Sequence, residues 1–324
     1  MATPARKPPL PMRLYSSFLH SLPFIRSGLT TLSFNLVTNR QFARCDAPIS
    51  ATLLNGTEID VSPNDYHGRI LYLFGTNDPK VHMTVRGLLR QGDVFLDIGA
   101  NYSSIGLSAA EWVGPAGYVH LFEPQEAICN SVGAAIARSE FGHVQLHRIA
   151  LMNRDDEMTI SRPKHHSGMA TLVDYGGDRS DWESLAVPVR DIATYVPALI
   201  EGRSFGVKLD IEGAEPIIMP WLLRQQNLHF LVFEAAHNRR ELWDLVRGAG
   251  LELFGLCRFV LRSRIRLVDS VEAMSAYHDM VAVRLPKGMT PPRETSPMEL
   301  GRRIVSHALS PPTRHEPSPP PSPP

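Results

Sequence analysis

Short apolar segments alternate with helical patterns along the middle of the chain, from about residue 56 to residue 285. The predicted strands are 94–98, 118–122, 144–149, 205–211, 229–233, 251–256 and 280–285. The predicted helices are 105–113, 125–138, 217–225 and 239–247. Strands that alternate with helices favour an α/β fold with a mostly parallel sheet. In such a sheet ligands bind at the carboxyl ends of the strands, where the strand order reverses.

Three segments of the chain do not follow this pattern of alternating strands and helices. Residues 152–191 are more polar, with possible short strands at 158–161 and 186–190, and suggest an insertion near the site or a small hairpin at the sheet edge. Residues 286–324 are rich in proline, which predicts a disordered tail. The folded domain is therefore expected to span residues 51–285.

Residues 1–50 form the third segment, which we interpret as a basic N-terminal arm. Its first 45 residues contain six Arg and Lys and neither Asp nor Glu. An organellar targeting signal has this composition too, although five prolines in the first 23 residues oppose a continuous helix. Attachment to an anionic lipid surface is a third interpretation.

The overall composition narrows the range of functions. The 324 residues include 33 Lys and Arg and 33 Asp and Glu, so no net field attracts nucleic acid, and no such partner is expected. No apolar run reaches the roughly 18 residues that span a bilayer, so no transmembrane segment is expected. The three cysteines are widely spaced and match neither a metal nor a redox motif. They indicate reduced thiols and a cytoplasmic protein.

The first candidate motif follows the predicted strand 94–98 and reads Asp97-Ile98-Gly99-Ala100-Asn101. Small residues at this turn let the backbone approach a ligand closely, and the next helix presents free N–H groups to the same space. Asp97 is placed to accept a hydrogen bond from a ligand. An ordinary turn from strand to helix also favours Asp, Gly and Asn, so the motif alone leaves both interpretations open.

The next strand ends in Glu123-Pro124, which adds a second carboxylate at the same edge. An acidic residue at the end of the second strand suits the two hydroxyls of a ribose. A nicotinamide cofactor would share that carboxylate but normally needs Gly-x-Gly-x-x-Gly for its pyrophosphate. The turn here has a single early glycine, Gly99, so a nucleoside without phosphates fits better.

Ionisable residues also follow the two later strands. Lys208-Leu209-Asp210-Ile211-Glu212-Gly213-Ala214-Glu215 places Lys208 and Asp210 on one strand face and Leu209 on the other. Such a group at the mouth of a buried strand is costly unless its members pair or bind something. A salt-bridged cluster is the structural alternative. Glu234 and His237 follow the next strand and would lie at the same edge if the strands are neighbours.

Together these motifs resemble the FkbM family of methyltransferases. The resemblance rests on Gly92-Asp93, the Asp97 to Asn101 turn, Glu123-Pro124, Lys208 to Glu215, and Glu234, and it covers about residues 68–256 plus a last strand. It implies a class I methyltransferase fold, a Rossmann-like seven-stranded sheet with an antiparallel last strand. It also implies transfer of the methyl group of S-adenosylmethionine to an oxygen, often on a sugar or a secondary metabolite. Ser103 stands where the family usually has glycine.

From the motifs and the resemblance we predict two sets of site residues. The cofactor-binding residues are Asp97, Gly99, Ala100, Asn101, Glu123 and Pro124. The residues on the catalytic, acceptor side are Lys208, Asp210, Glu212, Glu234 and His237. Glu212 and His237 are the candidate bases for a small-molecule or glycan acceptor. Asp210, Glu212 and Glu234 would also suit a hard cation, although the prediction includes no metal.

Two other classes of function remain as alternatives. A non-catalytic nucleoside-binding module would keep the fold, and Ser103 is the residue that favours it. A nicotinamide-dependent oxidoreductase would share the Rossmann-like fold but needs the pyrophosphate contacts that this turn lacks.

Overall fold

A nine-stranded sheet forms the centre of the protein, whose computed structural model describes residues 7–21, 36–42, 45, 47–173, 180–257 and 263–309. The strands are β1 (Ile49–Thr52), β2 (Glu58–Val61), β3 (Val94–Ile98), β4 (Tyr118–Phe122), β5 (Val144–His147), β6 (Ala150–Met152), β7 (Asp156–Pro163), β8 (Trp182–Asp191), β9 (Phe205–Leu209), β10 (Leu228–Glu234), β11 (Glu252–Cys257), β12 (Arg264–Leu267), β13 (Asp279–Val283) and β14 (Glu294–Thr295).

Helices cover both faces of this sheet. They are α1 (Leu10–Ser21), α2 (Leu36–Phe42), α3 (Tyr66–Phe74), α4 (Pro79–Leu88), α5 (Ser104–Val113), α6 (Glu126–Arg138), α7 (Ile192–Tyr195), α8 (Pro197–Ile200), α9 (Glu215–Arg224), α10 (Arg239–Gly248), α11 (Val271–Met274) and α12 (Pro297–Leu309). Within the described ranges, none of them combines the length and the apolar character that crossing a bilayer requires.

The strand order across the central sheet is β14-β12-β11-β13-β10-β9-β3-β4-β5. Strands β5, β4, β3, β9 and β10 are parallel, and β13 runs antiparallel to both β10 and β11. The seven predicted strands are all present, and the prediction of a mostly parallel sheet with an antiparallel last strand is confirmed. The short strands β12 and β14 extend the sheet beyond β11 and were not predicted.

The central strands are apolar on both sides because each face of the sheet carries its own core. Along β3, Phe95 packs into the core on one face, whereas Leu96 and Ile98 pack into the core on the other. All five residues of β3 and of β9 are buried. Nearly continuous apolar runs are the expected pattern for parallel strands covered on both faces.

Strands β6, β7 and β8 form a separate three-stranded sheet in the order β6-β8-β7. The possible strands at 158–161 and 186–190 lie within β7 and β8, which pair antiparallel. The chain between them includes residues 164–173, a segment that we call the strap. It crosses the carboxyl end of the central sheet.

Part of the predicted N-terminal arm folds onto the domain. Met12 and Leu19 of α1 are buried, and the Ser16 hydroxyl donates a 2.8 Å hydrogen bond to the carbonyl of Tyr72 in α3. Strand β1 begins within the arm at Ile49.

The prediction of a disordered tail from residue 286 is wrong for residues 286–309. These residues include β14 and the amphipathic helix α12, whose Leu300 and Ile304 are buried. The helix crosses α4 so closely that a Cβ at Gly301 would overlap the carbonyl oxygen of Gly87. The prediction relied on the high proline content of this segment. These prolines, however, lie in the connection between β13 and α12 and at the first position of α12, where proline is tolerated. The rest of the predicted tail, residues 310–324, lies outside the described residues.

Candidate functional site

The candidate site lies where the strand order reverses, at the carboxyl ends of β3 and β9. The carbonyl of Ile98 accepts a 3.0 Å hydrogen bond from the amide of Asp210. This bond directly joins the Asp97–Asn101 motif to the Lys208–Glu215 motif. Gly99 has φ of 73°, and a Cβ there would overlap the carbonyl oxygen of Asp210. Only glycine can adopt this positive φ and also leave room for the carbonyl oxygen without strain, so the turn depends on this residue.

Asp97 is buried beneath the turn, and its carboxylate binds the backbone of the helix that follows. One of its carboxylate oxygens accepts a 3.0 Å hydrogen bond from the amide of Gly106 in α5. Burial raises the pKa of Asp97, an effect that the nearby Lys208 opposes. Ser103, which precedes α5, makes no side-chain capping bond to the helix and instead donates to the carbonyl of Asn101.

Glu123 is buried at the end of β4, beside the turn. Its two carboxylate oxygens accept hydrogen bonds from the amides of Asn101, at 2.8 Å, and Gln125, at 2.9 Å. Burial raises the pKa of Glu123, while these hydrogen bonds favour its charged form. Two backbone amides thus fix the carboxylate against the turn, as a binding group for ligand hydroxyls requires.

A narrow, largely apolar cleft opens beside Glu123. Its walls include Ile98, Phe122, Leu151 and Ile160, which supply the surface that a flat heteroaromatic ring prefers. An apolar wall with a few fixed polar groups is typical of small-molecule sites. Of the predicted cofactor residues, Gly99, Asn101, Glu123 and Pro124 line this cleft.

A second, polar cavity of about 550 Å³ lies on the other side of the strap, and we call it the chamber. All five predicted catalytic residues line it, together with Asp97, Ala100 and Asn101. Six carboxylates face two lysines across the chamber: Asp78, Asp97, Asp210, Glu212, Glu234 and Asp279 against Lys80 and Lys208. The cleft and the chamber share His67, Asn101 and Asp210 in their walls.

Lys208 links the turn after β3 to the Lys208–Glu215 motif. It is the register partner of Asp97 on the neighbouring strand, and its ammonium donates a 2.7 Å hydrogen bond to the carbonyl of Gly99. The same nitrogen lies 3.4 Å from a carboxylate oxygen of Asp97 and 3.3 Å from one of Asp210. Burial opposes its charge, but Asp210 and Asp97 raise the pKa of Lys208 above its ordinary value. It therefore stays protonated and positions its neighbours.

Asp210, Glu212 and Glu234 converge in the chamber, with one oxygen of each within 4.8 Å of the others. Burial and the negative charges of Asp210, Glu234 and Glu215 raise the pKa of Glu212 to about 8. A carboxylate with this pKa is a much stronger base than an ordinary glutamate. Oxygen ligands in this arrangement also suit a hard divalent cation.

The far wall of the chamber carries an ionic network that the sequence analysis missed. His278 lies 3.0 Å from Glu234 and 3.4 Å from Asp279, and hydrogen bonds to these carboxylates raise its pKa to about 10. Lys80, at the start of α4, pairs with Asp279 and with Asp78. These residues come from distant parts of the chain without a recognisable motif, and only the antiparallel pairing of β13 with β10 brings His278 to Glu234.

The strap is fixed across the site by Ser167. Its amide and hydroxyl donate to the two carboxylate oxygens of Asp65 at 2.7 and 2.9 Å, and its hydroxyl accepts a 3.0 Å hydrogen bond from the Asn101 side chain. Thr171 anchors the other end by donating to the carbonyl of Glu212 at 2.8 Å. Asn101, predicted to contact a cofactor, thus uses its side-chain amide to hold the strap between cleft and chamber.

The histidines of the site differ in environment. His237, a predicted base, is exposed at the chamber wall. His166 stacks on Tyr66 with ring centroids 4.3 Å apart. Burial lowers the pKa of His67, which favours its neutral form at the junction of cleft and chamber.

Comparisons with known proteins reveal similarity at the level of structure. No protein-family model and no curated protein matches the sequence. The chain is similar to the methyltransferase FkbM from Methylobacillus flagellatus KT, with 16% identity and a TM-score of 0.37 over 68% of this chain and 55% of that one. It is also similar to fibrillarin from Aeropyrum pernix, solved with natively bound S-adenosyl-L-methionine, with 14% identity and a TM-score of 0.34 over 63% and 73% of the two chains.

A SAM-dependent O-methyltransferase from Thermotoga maritima is a third similar structure, with 11% identity and a TM-score of 0.32 over 66% of this chain and 68% of that one. These identities and TM-scores are too low to assign a function to the chain. The order of the sheet sets the fold class independently. The order β5-β4-β3-β9-β10-β13-β11 with antiparallel β13 is that of the class I methyltransferase fold.

Proposed function

We propose that the protein transfers the methyl group of S-adenosylmethionine to a hydroxyl oxygen of an uncharged acceptor, such as a sugar or a secondary metabolite. The observation that carries this proposal is the junction of two compartments at Asp210. An apolar cleft with a buried carboxylate meets a polar chamber that contains a basic glutamate. A nucleoside cofactor and a polar acceptor would meet at this point.

The cleft suits the adenosine part of the cofactor. Ile98 and Phe122 would flank the adenine ring, and Glu123 would accept hydrogen bonds from the ribose hydroxyls. Asp210, at the junction, would stabilise the positive sulfonium. The turn at Gly99 lacks the further glycines that bring a backbone to a pyrophosphate, which disfavours a dinucleotide.

When bound, S-adenosylmethionine supplies an activated methyl carbon, whose bond to sulfur breaks as the bond to the acceptor oxygen forms. The chain must hold that oxygen in line at roughly 3–3.5 Å from the carbon. Glu212 would accept the hydroxyl proton in its deprotonated form, which predominates above its raised pKa of about 8 and is a stronger base than an ordinary glutamate. Lys208 would hold Asp97, Gly99 and Asp210 in place during the reaction.

The charge of the chamber supports an uncharged acceptor. Its six carboxylates outnumber its three positive groups, Lys80, Lys208 and His278, and each of these three already lies beside two carboxylates. A phosphate or carboxylate on the acceptor would meet like charges in a partly buried space, which is costly. Hydroxyl groups can instead donate hydrogen bonds to the carboxylates.

Calorimetric titration with S-adenosylmethionine and with NAD tests the cofactor part of the proposal. We expect the wild type to bind S-adenosylmethionine and not NAD. Glu123→Gln should weaken binding about tenfold or more, because hydrogen bonds to a charged group are the strong ones. Glu126→Gln, an exposed change at the start of α6, is the matched control and should bind as the wild type does.

The outcomes distinguish the three classes of function. Binding of NAD alone would identify an oxidoreductase, and binding of neither ligand would refute the proposed cofactor. Tight binding of S-adenosylmethionine without methyl transfer to any member of a panel of neutral polyols would favour the non-catalytic module.

A further inference from the structure

Helix α1 presents an apolar stripe to solvent. Leu10, Leu14 and Phe18 are 61%, 63% and 58% exposed, the highest values for large hydrophobic residues in the described part of the chain. Their spacing of four residues places them on one face of the helix. Single exposed apolar residues are ordinary on a protein surface, but an aligned group on one helix indicates a binding surface.

This stripe is not needed to attach α1 to the domain. The opposite face makes that contact, through the buried Met12 and Leu19 and the hydrogen bond from Ser16 to Tyr72 in α3. The helix is thus fixed by one face and exposes the other.

The Lys and Arg residues of the described segment 7–21 have no acidic counterpart within it. Lys7 and Arg13 are exposed beside it, and the first 45 residues of the chain contain neither Asp nor Glu. The rest of the chain carries all 33 acidic residues, so residues 1–45 have a positive net charge although the whole chain is neutral. An apolar helix face flanked by basic residues is complementary to a surface that is apolar inside and anionic outside.

We propose that α1 docks the protein on an anionic phospholipid membrane. Leu10, Leu14 and Phe18 lie at the boundary between headgroups and acyl chains, and Lys7 and Arg13 contact the anionic headgroups. Helices with an apolar face and basic flanks bind in the plane of the interface, and each basic residue near an anionic surface strengthens binding about fivefold. The docking needs no cofactor and is independent of the proposed methyl transfer.

Sedimentation of the full-length chain with lipid vesicles tests this proposal. We expect the protein to sediment with vesicles of phosphatidylcholine and phosphatidylserine and to stay in solution with phosphatidylcholine alone. Added salt should weaken the binding, because it screens the attraction between the basic residues and the headgroups. Equal binding to both kinds of vesicle, or to neither, would overturn the proposal.

Substitutions separate the stripe from the rest of the surface. The double variant Leu10→Ser, Leu14→Ser should bind anionic vesicles about tenfold or more weakly, since it removes two apolar side chains from the interface. Arg13→Gln should weaken binding about fivefold. The matched control is Met298→Ser, Val305→Ser, which removes two exposed apolar residues from α12 and should bind as the wild type does.

Thermal unfolding and S-adenosylmethionine binding of each variant should match the wild type, which shows that the fold is intact. Unchanged vesicle binding by the Leu10, Leu14 variant would refute docking through α1. Self-association of the wild type that is lost in this variant, without vesicle binding, would identify the stripe as a contact between copies of the chain. A failure of cofactor binding in the wild type would refute the proposed function and leave this proposal standing.

Discussion

Glu212→Gln is expected to lower kcat by about a hundred- to ten-thousand-fold, the usual contribution of a general base. The substitution keeps the size of the side chain and removes its ability to accept a proton. Because Glu212 lines the chamber and not the cleft, the affinity for S-adenosylmethionine should stay within about a few-fold of the wild type. Single-turnover methyl transfer, together with calorimetry, measures the two quantities separately.

The same residue predicts how the rate depends on pH. Burial and the neighbouring carboxylates raise the pKa of Glu212 to about 8, so the active, deprotonated form is scarce below that pH. The wild-type rate should rise with pH and level off above about 8, and this rise should be absent from the residual activity of Glu212→Gln. Glu241→Gln, an exposed change on α10, should leave both the rate and its pH dependence unaltered.

Two outcomes would reassign Glu212. Loss of cofactor binding in Glu212→Gln would place the residue on the cofactor side. Loss of wild-type activity on chelation with EDTA, restored by Mg²⁺, would make Asp210, Glu212 and Glu234 cation ligands. Retained turnover would instead direct the search for a base to His237.

Gly99→Ala is expected to destabilise the protein by about 2–5 kcal/mol, from a left-handed backbone and a steric overlap together. The new Cβ would meet the carbonyl oxygen of Asp210, so β3 and β9 must separate at the turn. Cofactor binding should be lost as well, because the turn lies in the wall of the cleft. Urea unfolding and calorimetric titration provide the two measurements.

Gly92→Ala is the matched control for this change. Gly92 has φ of 82°, and no atom lies within 4 Å of a Cβ placed there. It should therefore show the cost of the left-handed backbone alone, about 1–2 kcal/mol, with normal cofactor binding. Equal losses in the two variants would mean that contact with Asp210 adds nothing to the role of Gly99.

The central strands could be predicted from sequence to within about two residues because they are buried on both faces. Strand β3 is a nearly unbroken apolar run between two glycines, and local composition alone defines it. Strands β12 and β14 contain four and two residues, too few for any periodic pattern. Their existence depends on pairing at the sheet edge, which the sequence does not encode locally.

The site was predictable where its residues follow strands. Asp97, Glu123, Asp210 and Glu234 reach one edge because the carboxyl ends of parallel strands meet there. Ser167, which fixes the strap, was not predictable, because its bond to Asp65 joins positions 102 residues apart. The hydrogen bonds that the predicted residues make could not be read from the sequence either. The Asn101 side chain, for example, donates to Ser167 of the strap.

The connection to α12 has a thermodynamic consequence. Pro286, Pro291 and Pro292 each restrict the backbone to one region of φ, which removes conformations from the unfolded chain as well as from the folded one. A tether with few conformations loses little entropy when its end docks, so α12 reaches its crossing at Gly87 and Gly301 at a small cost. The composition that suggested disorder here thus lowers the entropic cost of holding the last helix in place.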